Sequence, residues 1–142
     1  MFKTKFSSVK ELKRNWYLID AKDANLGKIS VEISKLLIGK HKTDYSSNLV
    51  FSDHVVVINS KFLKISDKKI NTKMYYTHSG YPGGLKEKSL SEKIEKNPEF
   101  VITNAVGGML PKNKLRDLRL KYLHVYPEGK HEYEDKQFIN IK

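Results

Sequence analysis

No cysteine occurs among the 142 residues, so neither a disulfide framework nor a thiolate zinc site is open to this chain. That absence is compatible with a reducing compartment. No run approaches the roughly 18 consecutive apolar residues of a membrane-spanning helix, and no charged start leads into an apolar signal core. Acid is scarce: Asp and Glu number 16 against 27 Lys and Arg, a net charge of +11. Self-repulsion of that size does nothing for folding, so it points to an anionic partner. Nucleic acid is the leading class, and a membrane surface the weaker one.

Catalytic signatures are missing too. "DAKDANLG", after the first strand pattern, offers one glycine where a dinucleotide site needs G-x-G-x-x-G. There is no P-loop, no H-E-x-x-H and no G-x-S-x-G. The histidines at 41, 54, 78, 124 and 131 show no metal-ligand spacing. Asp53 and His54 are adjacent on a strand pattern and point to opposite faces, so they read as structural rather than as a proton relay. The residues thus support no catalytic group, metal, cofactor or small-molecule substrate, which leaves catalysis unsupported and not excluded.

The periodicity is that of one α/β domain over residues 15–128. "NWYLID" (15–20) reads as a buried strand, and "HVVVIN" (54–59), with no alternation, as a central strand covered on both faces. Between them Ile29, Ile33, Leu36 and Leu37 fall at i, i+4, i+7 and i+8, one helical stripe closed by Gly39. "KFLKIS" reads as a second short strand or an extension, and "KMYYTH" (73–78) as a third strand. Ser89 and Glu92 form a capping box. Pro98 opens another helix, which Gly107 and Gly108 should stop. Leu115, Leu118 and Tyr122 mark the apolar side of a last helix, "HVY" (124–126) a last strand, and residues 129–142 an irregular tail. The opening stretch, with no acid before Glu11, reads as a basic arm over residues 1–14. The fold class expected is a mixed or parallel four-stranded sheet flanked by helices, in three α/β/α layers.

Three basic or glycine-rich loops are the candidate contacts. Lys40, His41 and Lys42 follow a helix end, where cations also complement the helix dipole, and Tyr45 adds a flat ring. In "THSGYPGGLKEK", Gly80, Gly83, Gly84 and Pro82 surround Tyr81, a stiff loop suited to close approach by phosphate and to base stacking; His78, Ser79 and Lys86 flank it. In "GGMLPKNKLR", Pro111 fixes the chain direction and presents Lys112, Lys114, Arg116 and Arg119. Each has a bland alternative as a solvated connection. From the residues alone a free RNA-binding module or a small RNA-modifying enzyme also remains open.

Taken together, "WYLIDA" with "LGKIS", "GKHKTDY", "VVVINS", "YYTHSGYPGGLK", "AVGGMLPKNKL" and "LHVYPEGKH" resemble, in order and spacing, the thirteenth large-subunit ribosomal protein family in its bacterial or organellar form. The resemblance implies an α/β protein of the large subunit, bound to large-subunit ribosomal RNA beside neighbouring ribosomal proteins. It implies a role in early subunit assembly, no catalysis, and residence in cytoplasmic or organellar ribosomes. It carries over onto Lys40, His41 and Lys42, onto His78, Ser79, Gly80, Tyr81, Gly83 and Gly84, and onto Gly108 through Lys112 as RNA-facing positions. Gly107 stands where the family favours lysine, which removes one expected phosphate contact.

Overall fold

The computed structural model describes residues 12–141; of the basic arm read over residues 1–14, only 12–14 fall within them. Two apolar strands organise the rest. β1 (Trp16–Asp20) and β2 (His54–Ile58) pair in parallel, Tyr17 opposite Val55 and Ile19 opposite Val57. Val55, Val56 and Val57 are all fully buried, which is why this stretch shows no alternation. β5 (Leu123–Val125) adds beyond β2 and β6 (Phe138–Ile141) beyond β1, giving a parallel sheet of order β5-β2-β1-β6.

Parallel neighbours need a crossover, and α1 (Leu26–Ile38) supplies the one from β1 to β2. The Asn25 side chain caps it, accepting from the Gly27 N–H at 3.0 Å. Gly39 ends it with φ at 81°. A Cβ there would lie 2.6 Å from the Cβ of Phe51 and 2.7 Å from its carbonyl oxygen, so both angle and space demand glycine. Ile29, Ile33 and Leu37 pack onto Tyr17, Ile19, Val55 and Val57, where α4 (Pro98–Met109) adds Ile102 and Val106. Each such side chain contributes roughly 1.5–3 kcal/mol relative to exposure.

On the other face of the sheet the alternation places Trp16, His54, His124 and Phe138. Trp16 stacks on His54, ring centres 4.0 Å apart. Over them lies the C-terminal segment, with Tyr133 4.8 Å from the indole and the Lys136 ammonium 6.0 Å above it. The cover on this part of the face is therefore irregular chain with a turn at Glu134 and Asp135. The tail read as irregular contains a strand: four residues are too few to show a period, and β6 forms because β1 offers it an open edge.

Other expectations change as well. "KFLKIS" makes a 3-10 turn over Ser60–Phe62 and a single bridge from Lys64 to Asn25, not a strand. "KMYYTH" does hold a strand, β3 (Met74–His78), but it pairs antiparallel with β4 (Leu85–Ser89) in a separate two-stranded ribbon. β4 is almost wholly exposed, so no apolar pattern announces it. α2 (Asp67–Thr72) precedes the ribbon and α3 (Leu90–Lys96) follows it, the Ser89 hydroxyl accepting from the Glu92 N–H at 3.3 Å as the capping box requires. The α4 helix does not stop at Gly107 but runs on to Met109. Leu110 caps it and is buried, whereas Met109 is half exposed. α5 (Leu115–Leu120) returns the chain to β5.

The histidines under the C-terminal segment generate a pH dependence. His54 Nδ1 and His124 Nε2 are 3.4 Å apart, and the Tyr133 hydroxyl is 3.3 Å from His124 Nδ1. Tyr133 donating to a neutral His124, which donates in turn to His54, satisfies all three groups. Burial first, then His124, Arg14 and Lys136, push His54 below its ordinary value of 6.5, with Asp53 opposing. Burial does the same to His124, against Glu132. The unfolded chain therefore binds these protons more readily, so their contribution to stability is intact above about pH 6.5 and is lost as pH falls below it. The melting temperature should drop between pH 7.5 and pH 5.5, and less so in His54→Phe, which keeps the stack without the titration. Parallel profiles for the two proteins would contradict this account.

Candidate nucleic-acid interface

Lysines 40 and 42, adjacent but for one histidine, have different surroundings. Lys40 is exposed. The Lys42 ammonium lies 2.6 Å from Asp53 Oδ1 and also donates to the carbonyls of Phe51 and Lys13, at 3.2 and 3.0 Å. His41 Nε2 is 2.8 Å from Asp53 Oδ2, and the Asn15 N–H donates to Oδ1 at 2.9 Å. Asp53 is fully buried. A buried carboxylate needs a cation and hydrogen bonds in place of water, and the supposed RNA loop supplies them. Lys42 is therefore an internal counter-ion. Tyr45 is partly buried, packed against the core beside Phe51.

The glycine loop is the tip of the β3–β4 ribbon. Gly80 and Gly83 have φ of +86° and +74° with open space where a Cβ would stand, so turn geometry alone requires them. Gly84 differs, because a Cβ there would collide with the Ser79 hydroxyl and with the Tyr81 carbonyl; it serves the loop itself. His78 Nδ1 accepts from the Gly80 N–H at 2.9 Å, and the Gly84 N–H donates to the Tyr81 carbonyl at 3.0 Å. These bonds hold Tyr81 outward, 75% exposed. On β4, Lys86 stands opposite Thr77 and Lys88 opposite Tyr75, so one face of the ribbon carries ammonium groups behind the ring.

Along the elbow, Pro111, Lys112 and Lys114 are exposed. Arg116 is half-buried, and a Cβ on Gly107 would come within 3.3 Å of its guanidinium. Glycine at 107 thus makes room for Arg116. Arg119 is a correction. It is only 1% exposed, while Leu118 beside it is 45% exposed. Leu115 and Tyr122 are partly buried, but the six-residue α5 turns Arg119 rather than Leu118 inward, so Arg119 belongs to the interior and not to a binding surface.

Sequence reasoning misses Lys64, Lys69 and Lys73. The fold brings them, with Lys112 and Arg116, around a cleft of about 690 Å³ between the start of α1, α2 and the end of α4. Only the "SDKK" at 66–69 hints at them, because the rest of the wall is contributed by segments far apart in the chain. Among the described residues no helix is long and apolar enough to cross a membrane.

A family model described as Ribosomal protein L13 matches residues 14–132. The chain is 44% identical over 140 residues to the large ribosomal subunit protein uL13 of Hahella chejuensis, covering 99% of each. It is 44% identical over 134 residues to that of Aquifex aeolicus, 93% of each chain. To that of Mycobacterium marinum it is 45% identical over 124 residues, 87% of this chain and 84% of the other.

The two lysines of "GKHK" should respond oppositely to mutation. Lys42→Ala leaves the Asp53 carboxylate buried without its closest cation and should cost about 3 kcal/mol. Lys40→Ala, at an exposed position, should stay within about 0.5 kcal/mol. Urea titrations of both variants check this, and equal midpoints would refute the internal role of Lys42.

Proposed function

The chain belongs to the ribosomal protein L13 family, and we propose that it grips large-subunit ribosomal RNA through three loops that aim cations outward from a rigid sheet. It is a structural, non-enzymatic constituent of the large ribosomal subunit. The RNA-facing set is Lys40, His78, Ser79, Gly80, Tyr81, Gly83, Lys86, Lys112 and Lys114, with Arg116 at its edge. His41 and Gly84 hold the loops in shape and are touched in passing. The protein acts early in subunit assembly, beside neighbouring ribosomal proteins, in a cytoplasmic or organellar ribosome.

One observation carries this reading. Among the described residues the ion pairs are His41–Asp53, Lys42–Asp53 and Lys61–Glu128. Lysines 40, 86, 112 and 114 therefore keep their charge facing outward, within a chain of net +11. Phosphates neutralise such charge while releasing condensed counterions, which makes the affinity fall as salt rises. Tyr81 supplies what lysine cannot, a flat face for an unpaired base.

Aim and charge are separable at the elbow. Lys112→Ala with Lys114→Ala should leave folding nearly intact, weaken binding to large-subunit RNA, and reduce the salt slope by about one unit per lost phosphate contact. Pro111→Gly keeps both charges but frees the backbone, so affinity should fall while the slope holds. Filter binding across a salt series reads both. Wild-type affinity and slope in the lysine double variant would remove the elbow from the interface, and failure of the wild-type protein to co-sediment with large subunits would defeat the reading as a whole.

A further inference from the structure

Two strands alone make a ribbon that is marginal in water unless something packs on it. The β3–β4 ribbon has such support on one face. The register sets Tyr75 opposite Lys88 and Thr77 opposite Lys86 there, and the Tyr75 ring lies 5.8 Å from that of Phe100 on α4. Pleating sends Met74, Tyr76, Leu85 and Glu87 to the other face. Among the described residues nothing covers them: Tyr76 is 63% and Leu85 54% exposed, and Met74 and Glu87 are exposed as well.

The two faces also differ in charge. Both ribbon lysines, Lys86 and Lys88, stand on the supported face. The free face carries the Glu87 carboxylate, opposite Tyr76 and between Met74 and Leu85. Glu87 takes no part in the ion pairs among the described residues. His78 closes this face at the loop, its Nδ1 accepting from the Gly80 N–H. A phosphate arriving here would meet a carboxylate and no ammonium, so the sugar–phosphate backbone of RNA is excluded. In a chain of net +11 this patch has the sign opposite to the whole, and it attracts a cationic protein that the rest of the surface repels. Apolar residues grouped on a surface mark interaction sites, and tyrosine and methionine are enriched in protein interfaces. Five residues of strand measure about 17 Å, room for one segment of a partner rather than for a domain.

We propose that the free face of the ribbon docks a basic polypeptide segment of another protein of the large subunit, its apolar side chains on Met74, Tyr76 and Leu85 and a lysine or arginine on Glu87. The inference rests on the ribosomal reading above and adds to it the surface that meets protein. The ribbon is then two-sided, with RNA beside Lys86 and protein against Tyr76.

Large subunits purified from cells expressing the full chain, with the photoreactive amino acid p-benzoylphenylalanine in place of Tyr76 or of Lys86, test this. Irradiation followed by nuclease or protease digestion sorts the adducts. Position 76 should give at least tenfold more adduct with another subunit protein than with RNA, on a peptide that holds lysine or arginine beside apolar residues; position 86 should favour RNA. Glu87→Lys sets like charge against the partner and should cut the protein adduct at position 76 several-fold, with Glu87→Gln cutting it less. Both variants should bind large-subunit RNA as the wild-type chain does, which shows that they fold. If position 76 joins RNA as readily as position 86, the free face is an RNA surface and the proposal falls. An adduct with a second copy of this chain, one on an acidic peptide, or none in subunits that contain the chain also overturns it, as does an adduct yield indifferent to Glu87→Lys. A chain that never enters the subunit is a different result, and there it is the ribosomal reading that fails.

Discussion

The carboxylate of Asp53 is the point on which the candidate surface turns. It sits at the threshold of β2, wholly out of water, and gathers the Lys42 ammonium, the His41 ring and the backbone of Asn15. Three segments distant in sequence, the approach to β1, the loop after α1 and the start of β2, are tied there by one residue. A charge buried in this way gives little net stability, but it gives definite geometry, because nothing else in reach can replace its partners. The close contact of Gly39 with Phe51 fixes the same loop from the other end. Lys40 is then held out from a part of the chain that has few ways to move.

Basic residues in this protein accordingly divide into two populations that sequence does not distinguish. Some are structural: Lys42 on its carboxylate, and Arg119 in the interior. Others, such as Lys86 on β4 and Lys112 and Lys114 on the elbow, are exposed with no acidic partner among the described residues. Net charge counts both groups alike. For a protein whose partner is a polyanion, the second group sets affinity and salt sensitivity, and the first decides where the second points.

Much of the fold was legible in the sequence. The stripe of α1, the unbroken valines of β2, the Ser89 capping box and Pro98 at a helix start each express a local rule that tertiary structure did not overrule. The misses share a cause. β4 and β6 owe their existence to partners, not to pattern: one is nearly all exposed, the other is four residues long. Gly107 and Gly108 suggest a helix stop, yet neither takes the left-handed φ that ends a helix, so α4 continues to Met109. Arg119 was misplaced because a six-residue helix is too short for Leu115 and Leu118 to establish which side is buried. Of the site, the loops could be read from local composition, whereas Lys64, Lys69 and Lys73 meet Arg116 only through the fold.

Strand order gives β6 a meaning for how the protein is made. β1 is the first strand of the sheet and β6 the last element in chain order, yet they are neighbours. While everything between them is being synthesised, β1 keeps one edge with unpaired amides and carbonyls. Such an edge is where chains stick to one another, and closing it demands a contact across nearly the whole length of the molecule, the slowest kind to form. Until then Trp16 and His54 also lack the cover of Tyr133. A newborn copy thus passes through a period in which its helical side is ready and its opposite side is adhesive, and prompt capture by a partner in a crowded cell would shorten that exposure.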